Sequence, residues 1–311
     1  MAWLVLLLVL AATPALAHPS ALPPEAGPGW TLDPSITLPI ILAVVLFAVG
    51  WSRLRRRSGQ GRPGLDRRGA LFAAGMLLLI VALVSPLHEA GERSFAFHML
   101  EHELLMLVAA PLLVLSRPLA VMLWAFPSPA RRGLGGAGRS GWVQRPWRAL
   151  TEPITTTLVQ AAVLWLWHAP SLFDLALGSE VWHAVQHLCF LLTALLFWSA
   201  MLTGERRRNA GLIVGCLFFT SIVSGALGAV MAFSSSPWYA RYAALGMTPQ
   251  GLTPDEDQQL AGLLMWIPGG LVHAVAALAV LARAMSLTGA AAGPSASPGH
   301  SRESGDPGVL V

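Results

Sequence analysis

Apolar runs of about 20 residues, the length at which a helix crosses a ~30 Å hydrocarbon core, recur along this chain. They lie at roughly 36–54, 69–87, 95–115, 154–168, 181–202, 212–233 and 260–284. No other feature restricts the fold as strongly. A backbone in lipid must satisfy its own N–H and C=O groups, and runs of this length do so as helices. The fourth run is short for a span. With 55% hydrophobic and 12% charged residues, the chain is not an ordinary soluble domain. The expected fold is all-α, an integral membrane protein with about seven transmembrane helices in the lipid bilayer.

Charge sets the expected orientation. All 20 cations are arginine. Seven lie in 52–68, six in 116–150, Arg206, Arg207 and Arg208 form a third group, and Arg283 and Arg302 follow the last run. With the mature N-terminus extracytoplasmic, all of these are cytoplasmic and only Arg93 and Arg241 lie outside, as the positive-inside rule requires. The basic balance therefore encodes topology, and a nucleic-acid partner is set aside.

Ahead of the first run, Met1–Ala17 is apolar and ends Ala15-Leu16-Ala17, the small-x-small pattern of a secretory cleavage site. It lacks a basic leading segment, so an uncleaved extra span is the alternative. The expected organisation is a signal peptide at 1–17, a Pro/Gly-rich extracytoplasmic segment at 18–35, a membrane domain at 36–285 and a low-complexity, disordered cytoplasmic tail at 286–311. The 127–153 connection places Trp142 and Trp147 beside arginines, a composition suited to the membrane interface. Cys189 and Cys216 sit inside apolar runs with no C-x-x-C, which leaves neither a redox motif nor a dithiol clamp.

Six of the nine histidines fall at the same expected end of the spans. His98 and His102 form one H-x-x-x-H pair, His183 and His187 another, and His88 and His168 lie in or beside the turns that lead into those helices. Residues i and i+4 share a helix face, so each pair can aim two imidazole nitrogens at one ion about 2 Å away. Two facing pairs supply a whole tetrahedral site. A weak internal repeat, with His-bearing turns after the second and fourth runs and H-x-x-x-H opening the third and fifth, would bring the pairs together. The structural alternative is that each imidazole merely caps or hydrogen-bonds its neighbours.

Imidazole suits zinc, copper, iron and nickel. Met99, Met106, Met231 and Met265 can add thioethers that favour Cu(I), although such methionines usually serve packing. If cleavage occurs, His18 becomes an N-terminal amine-plus-imidazole chelator of Cu(II). His98-Met-Leu-Glu101-His102 also reads as the inverted zinc-protease motif with Glu101 as base, and one histidine from each of two helices can ligate haem. Asp255 and Asp257 open the last run, where an acidic residue caps its own helix; Asp257 is also a candidate ligand.

The ordered blocks HML-x-H with LLMLVAAPLLVL (98–115), LWHAP (166–170), His183 and His187 before LLFW, and DQQLAGLLMWIPGG (257–270) resemble the multi-span CtaG-type cytochrome c oxidase assembly factors. The resemblance covers about 30–285. It implies a non-catalytic protein of the bacterial inner membrane, multi-pass, that matures a terminal oxidase by handling copper at the extracytoplasmic face, with an oxidase subunit as partner. His98, His102, His168, His183 and His187 match the family's motif histidines, and Asp257 matches the acid of its DQQ block. Glu101 and Glu103 stand where amide or apolar residues are expected. A copper transport or resistance protein is the alternative, favoured if His273 and methionines continue a path toward the cytoplasm.

Overall fold

The computed structural model describes residues 29–59, 61–203 and 209–291. The expected signal peptide, His18, Arg206–Arg208, His300 and most of the C-terminal tail lie outside the described residues. Among those described there is no strand. Helix α1 (Pro34–Arg57) begins at Asp33, whose carboxylate accepts the Ser35 N–H, and closes on Arg55, Arg56 and Arg57. Such an acidic cap and basic final turn complement the helix dipole. Helix α2 (Arg62–Leu83) continues after a bend of 40° into the short α3 (Pro86–Arg93).

Helix α4 (Phe95–Ser116) is interrupted by a π-helical turn at Leu104–Ala109. It stops where Arg117 takes a left-handed conformation (φ 49°) before Pro118. After a short α5 (Pro118–Met122), the arginine-bearing connection folds into α6 (Ser128–Gly138) and α7 (Gly141–Leu150), neither of which buries a residue. Helix α8 (Pro153–Trp167), α9 (Pro170–Leu177), α10 (Glu180–Thr203), α11 (Ala210–Ala232), α12 (Ala240–Leu245) and α13 (Pro254–Ala291) complete the described chain.

Every one of the seven apolar runs is helical. Among the described residues five helices (α1, α4, α10, α11 and α13) are long and apolar enough to cross a membrane, and α2 with α3 makes a sixth if the bent pair counts as one span. The run at 154–168 yields only 15 helical residues, about 22 Å at 1.5 Å per residue, short of the core thickness.

Helices α4 and α10 are the centre: 61% of each apolar stretch is buried, against 39% or less for α1, α11 and α13. Helix α4 packs against α2, α3, α10 and α13, while α8 sits between α10 and α11. Helix α11 crosses α13 closely: a Cβ on Gly262 would fall 2.4 Å from Gly228 O and 2.6 Å from Ala232 N. Small residues permit such backbone approach in membranes, where apolar surface alone gives helices no reason to associate.

Candidate metal centre

The site starts from the way α4 is anchored. Asp257, in the first turn of α13, accepts from the Ser94 hydroxyl (2.7 Å), the Phe95 N–H (2.6 Å) and the Ala96 N–H (3.3 Å). It caps α4 rather than the helix that carries it. The next two residues hold the preceding loop: Gln258 accepts the Trp238 N–H and donates to Ser236 C=O, and Gln259 donates to Ser234 C=O. The DQQ block is thus a clamp between α13, the start of α4 and the 234–238 loop.

One turn beyond this cap, His98 and His102 share a face, with their Nε2 atoms 3.1 Å apart. Two nitrogens bound at about 2.0 Å to one tetrahedral ion lie about 3.3 Å apart, so the pair is close to ligating geometry. Helix α10 sets His183 and His187 opposite. Ring centroids are 5.1 Å apart for His98 and His183, 5.0 Å for His102 and His187, and 4.4 Å within the second pair. The two H-x-x-x-H pairs therefore face each other.

Helix α3 brings His88 over both rings of α10. Two triads place their donor atoms within 4.8 Å of one another, His98/His183/His187 and His88/Glu101/His187, and His187 belongs to both. The centre is enclosed: His98 and Glu101 are fully buried, His102, His187 and His88 nearly so, and His183 alone among them is half-buried.

Surrounding groups fix which nitrogen is free. Tyr242 of α12 donates its only proton to Gly91 C=O (2.5 Å), so at 3.0 Å its oxygen accepts from His98 Nδ1–H. That leaves His98 Nε2 as a lone pair beside His102 Nε2; a hydrogen bond on the far nitrogen is how metal sites set a tautomer. Burial pushes the Tyr242 phenol well above its ordinary pKa range, with Glu101 adding to the effect, so the proton stays in place. His168 gives Nδ1–H to Leu164 C=O, which turns a bare Nε2 toward the Met99 sulfur at 3.5 Å. Glu101 Oε1 accepts from His88 Nδ1 at 2.8 Å and lies 3.4 Å from His187 Nε2, while its Oε2 has no partner. His102 Nδ1, His183 Nε2 and His187 Nε2 are likewise buried without a hydrogen bond. Buried polar atoms are rarely left so; a cluster of bare nitrogens around one carboxylate fits a cation.

Of the residues singled out in the sequence, His98, His102, His183, His187 and His88 come together. His168 borders them, 6.3 Å from the His102 ring, and Met99 is beside it. Asp257, expected as a ligand or as the cap of its own helix, has both oxygens committed to α4, and it joins neither triad. Glu101, read as a protease base, occupies the place in the cluster where Asp257 was expected. Tyr242 and Gly91 carry no local signal, since Tyr242 is 144 residues from His98.

A family model, described as cytochrome c oxidase caa3 assembly factor (Caa3_CtaG), matches residues 45–286. The chain belongs to the Caa3_CtaG family. No curated protein and no solved structure gave a match. Caa3_CtaG proteins are assembly factors, not catalysts, and membership supports a role in oxidase assembly. Within this Caa3_CtaG chain, the His/Glu cluster is capable of coordinating a metal ion.

Proposed function

We propose that this protein holds copper transiently in the His/Glu cluster and passes it to a terminal cytochrome c oxidase subunit docked at the extracytoplasmic face. The observation that carries the reading is the facing pair of H-x-x-x-H turns, with bare buried nitrogens converging beside one carboxylate. In this reading the bundle has seven spans, with α8 as a short fourth crossing and α2–α3 as a bent second one. The arginine-rich loops lie in the cytoplasm, so the cluster faces the opposite compartment.

Copper here is cargo. Cu(I) with one carboxylate and neutral imidazoles leaves no net charge at a buried site, which avoids the cost of an uncompensated ion in low dielectric. His183, the most exposed of the four paired histidines, is the entry ligand; His98, oriented by Tyr242, and His187 hold the ion beside it. His168 Nε2 and Met99 Sδ form a neighbouring nitrogen–sulfur pair suited to a soft ion. The haem reading accords poorly with rings that stack at 5.1 Å, where a macrocycle has no room. The hydrolase reading accords poorly with a Glu101 tied to His88 and His187.

Cu(I) competition binding on detergent-purified protein tests the proposal. Wild type is expected to bind tightly, and His98→Ala/His102→Ala and His183→Ala/His187→Ala are each expected to abolish binding at this cluster. Oxidase made in cells carrying either variant is expected to lack copper. Undiminished binding in both variants would sink the shared site.

A further inference from the structure

Beside the π-helical turn that follows the cluster lies a small, largely apolar cavity with a few polar groups in its wall. It holds about 30 Å³, space for a single water or ion, and is walled by α4, α8, α11 and α13. Three side-chain atoms that line it are buried and without a partner: Glu103 Oε2, Gln160 Oε1 and His273 Nε2. Gln160 and His273 are themselves only 3% and 2% exposed.

The geometry around them is organised. His273 gives Nδ1–H to Gly269 C=O at 2.7 Å and stacks on Trp198 (5.7 Å, 17°), so its bare Nε2 is held in a fixed direction. Glu103 Oε2 faces the same corner, since a Cβ on Gly269 would lie 3.7 Å from it. The Thr220 and Ser224 hydroxyls in its wall give their protons to carbonyls of their own helix, so neither is free to donate into the space. Trp198 Nε1 donates to Met106 C=O at 2.9 Å within the π turn, and Pro268 interrupts the facing helix. Irregular backbone at membrane depth is tolerated where it lines a cavity, and π turns recur at functional sites.

The cavity thus carries three unpartnered buried acceptors in its wall, one of them a carboxylate, with no arginine in its lining. We infer that it is a second cation site, binding one transition-metal ion through Glu103 Oε2, Gln160 Oε1 and His273 Nε2. Imidazole selects a transition metal over sodium or magnesium. The single carboxylate matches a monovalent ion, and the lining methionines Met106 and Met265 suit Cu(I). The inference rests on the proposed copper reading only for the choice of ion. Its α4 ligand Glu103 directly follows His102, about 1.5 Å further along the helix axis, which makes the site a second station on the same helix.

The test is a Cu(I) competition titration of the full detergent-purified chain. It compares wild type, Glu103→Gln, His273→Asn and His183→Ala/His187→Ala, with thermal unfolding as a fold control. Asparagine keeps a donor for Gly269 C=O while deleting Nε2, so the variant leaves the helix contact intact. Wild type is expected to bind two ions. Glu103→Gln and His273→Asn should each weaken one of them by about tenfold or more and leave the other unchanged. The His183→Ala/His187→Ala variant should retain one ion, which His273→Asn then removes. That last result would stand even if the outer cluster bound nothing. A wild type that binds no ion, or whose bound ions neither cavity variant affects, overturns the second site and leaves the cavity to a water.

Discussion

Replacing Asp257 by asparagine separates a clamp from a ligand. The carboxylate receives a hydroxyl and two backbone N–H groups at 2.6–3.3 Å, and it is 2% exposed. Asparagine keeps the shape but has only one acceptor oxygen. If that oxygen faces the Phe95 N–H, the new NH2 group points at Ser94 and at the Ala96 N–H, and the opposite rotamer sets NH2 against the Phe95 N–H. Either way at least one charge-assisted bond, worth about 1.5–3 kcal/mol, is lost. The anion at the start of α4, worth about 0.3–1 kcal/mol, is lost as well. The sum is roughly 2–4 kcal/mol of stability. Thermal unfolding in detergent should show a clear drop in midpoint, and Cu(I) titration of the same protein should show unchanged stoichiometry. An unchanged midpoint with lost copper would refute the reasoning and return Asp257 to the ligand set.

Tyr242→Phe should leave His98 Nδ1–H and Gly91 C=O unpaired and lower copper affinity by about 10–100-fold, read by competition titration with the ion count unchanged. Glu101→Gln retains an acceptor for His88 but removes the only carboxylate in the cluster; affinity should fall by a similar 10–100-fold, and a variant that binds as wild type does would deny Glu101 its role. Gly262→Ala sets a methyl group into the α11–α13 crossing and should cost about 1–3 kcal/mol, seen as a lower unfolding midpoint with no change in any histidine. Copper affinity should decline as pH falls, because imidazoles must be deprotonated to ligate; titrations at stepped pH that show no decline would point to ligands other than histidine.

Local periodicity made much of this legible. Runs of apolar residues marked the helices, and i, i+4 spacing marked both His pairs, because these signals lie within a few residues of each other. What was hidden depends on distance. Asp257 stands in the first turn of its own helix, so the sequence suggests a cap for that helix, yet its donors are 161–163 residues away. Tyr242 sits in a loop of ordinary composition and acquires its role only because α12 folds back onto α3 and α4. The π turn leaves no trace in LLMLVA, a stretch that any helix would accept. Glu101 was visible as a letter in a motif, but its function depends on which rings two other helices bring to it.

The double attachment of Tyr242 has a kinetic consequence. The phenol that orients His98 also ties α12 to Gly91 C=O, and α12 is followed by Gly246 at φ 71° and Gly251 at φ 82°. Any displacement of this segment withdraws the orienting oxygen from His98 at the same moment that it uncovers the ring. For an ion held as proposed, exposure and slackening of its grip are therefore one coordinate rather than two. The dissociation rate would follow the docking of α12, so a partner that lifts this segment can hasten release without competing for a single ligand.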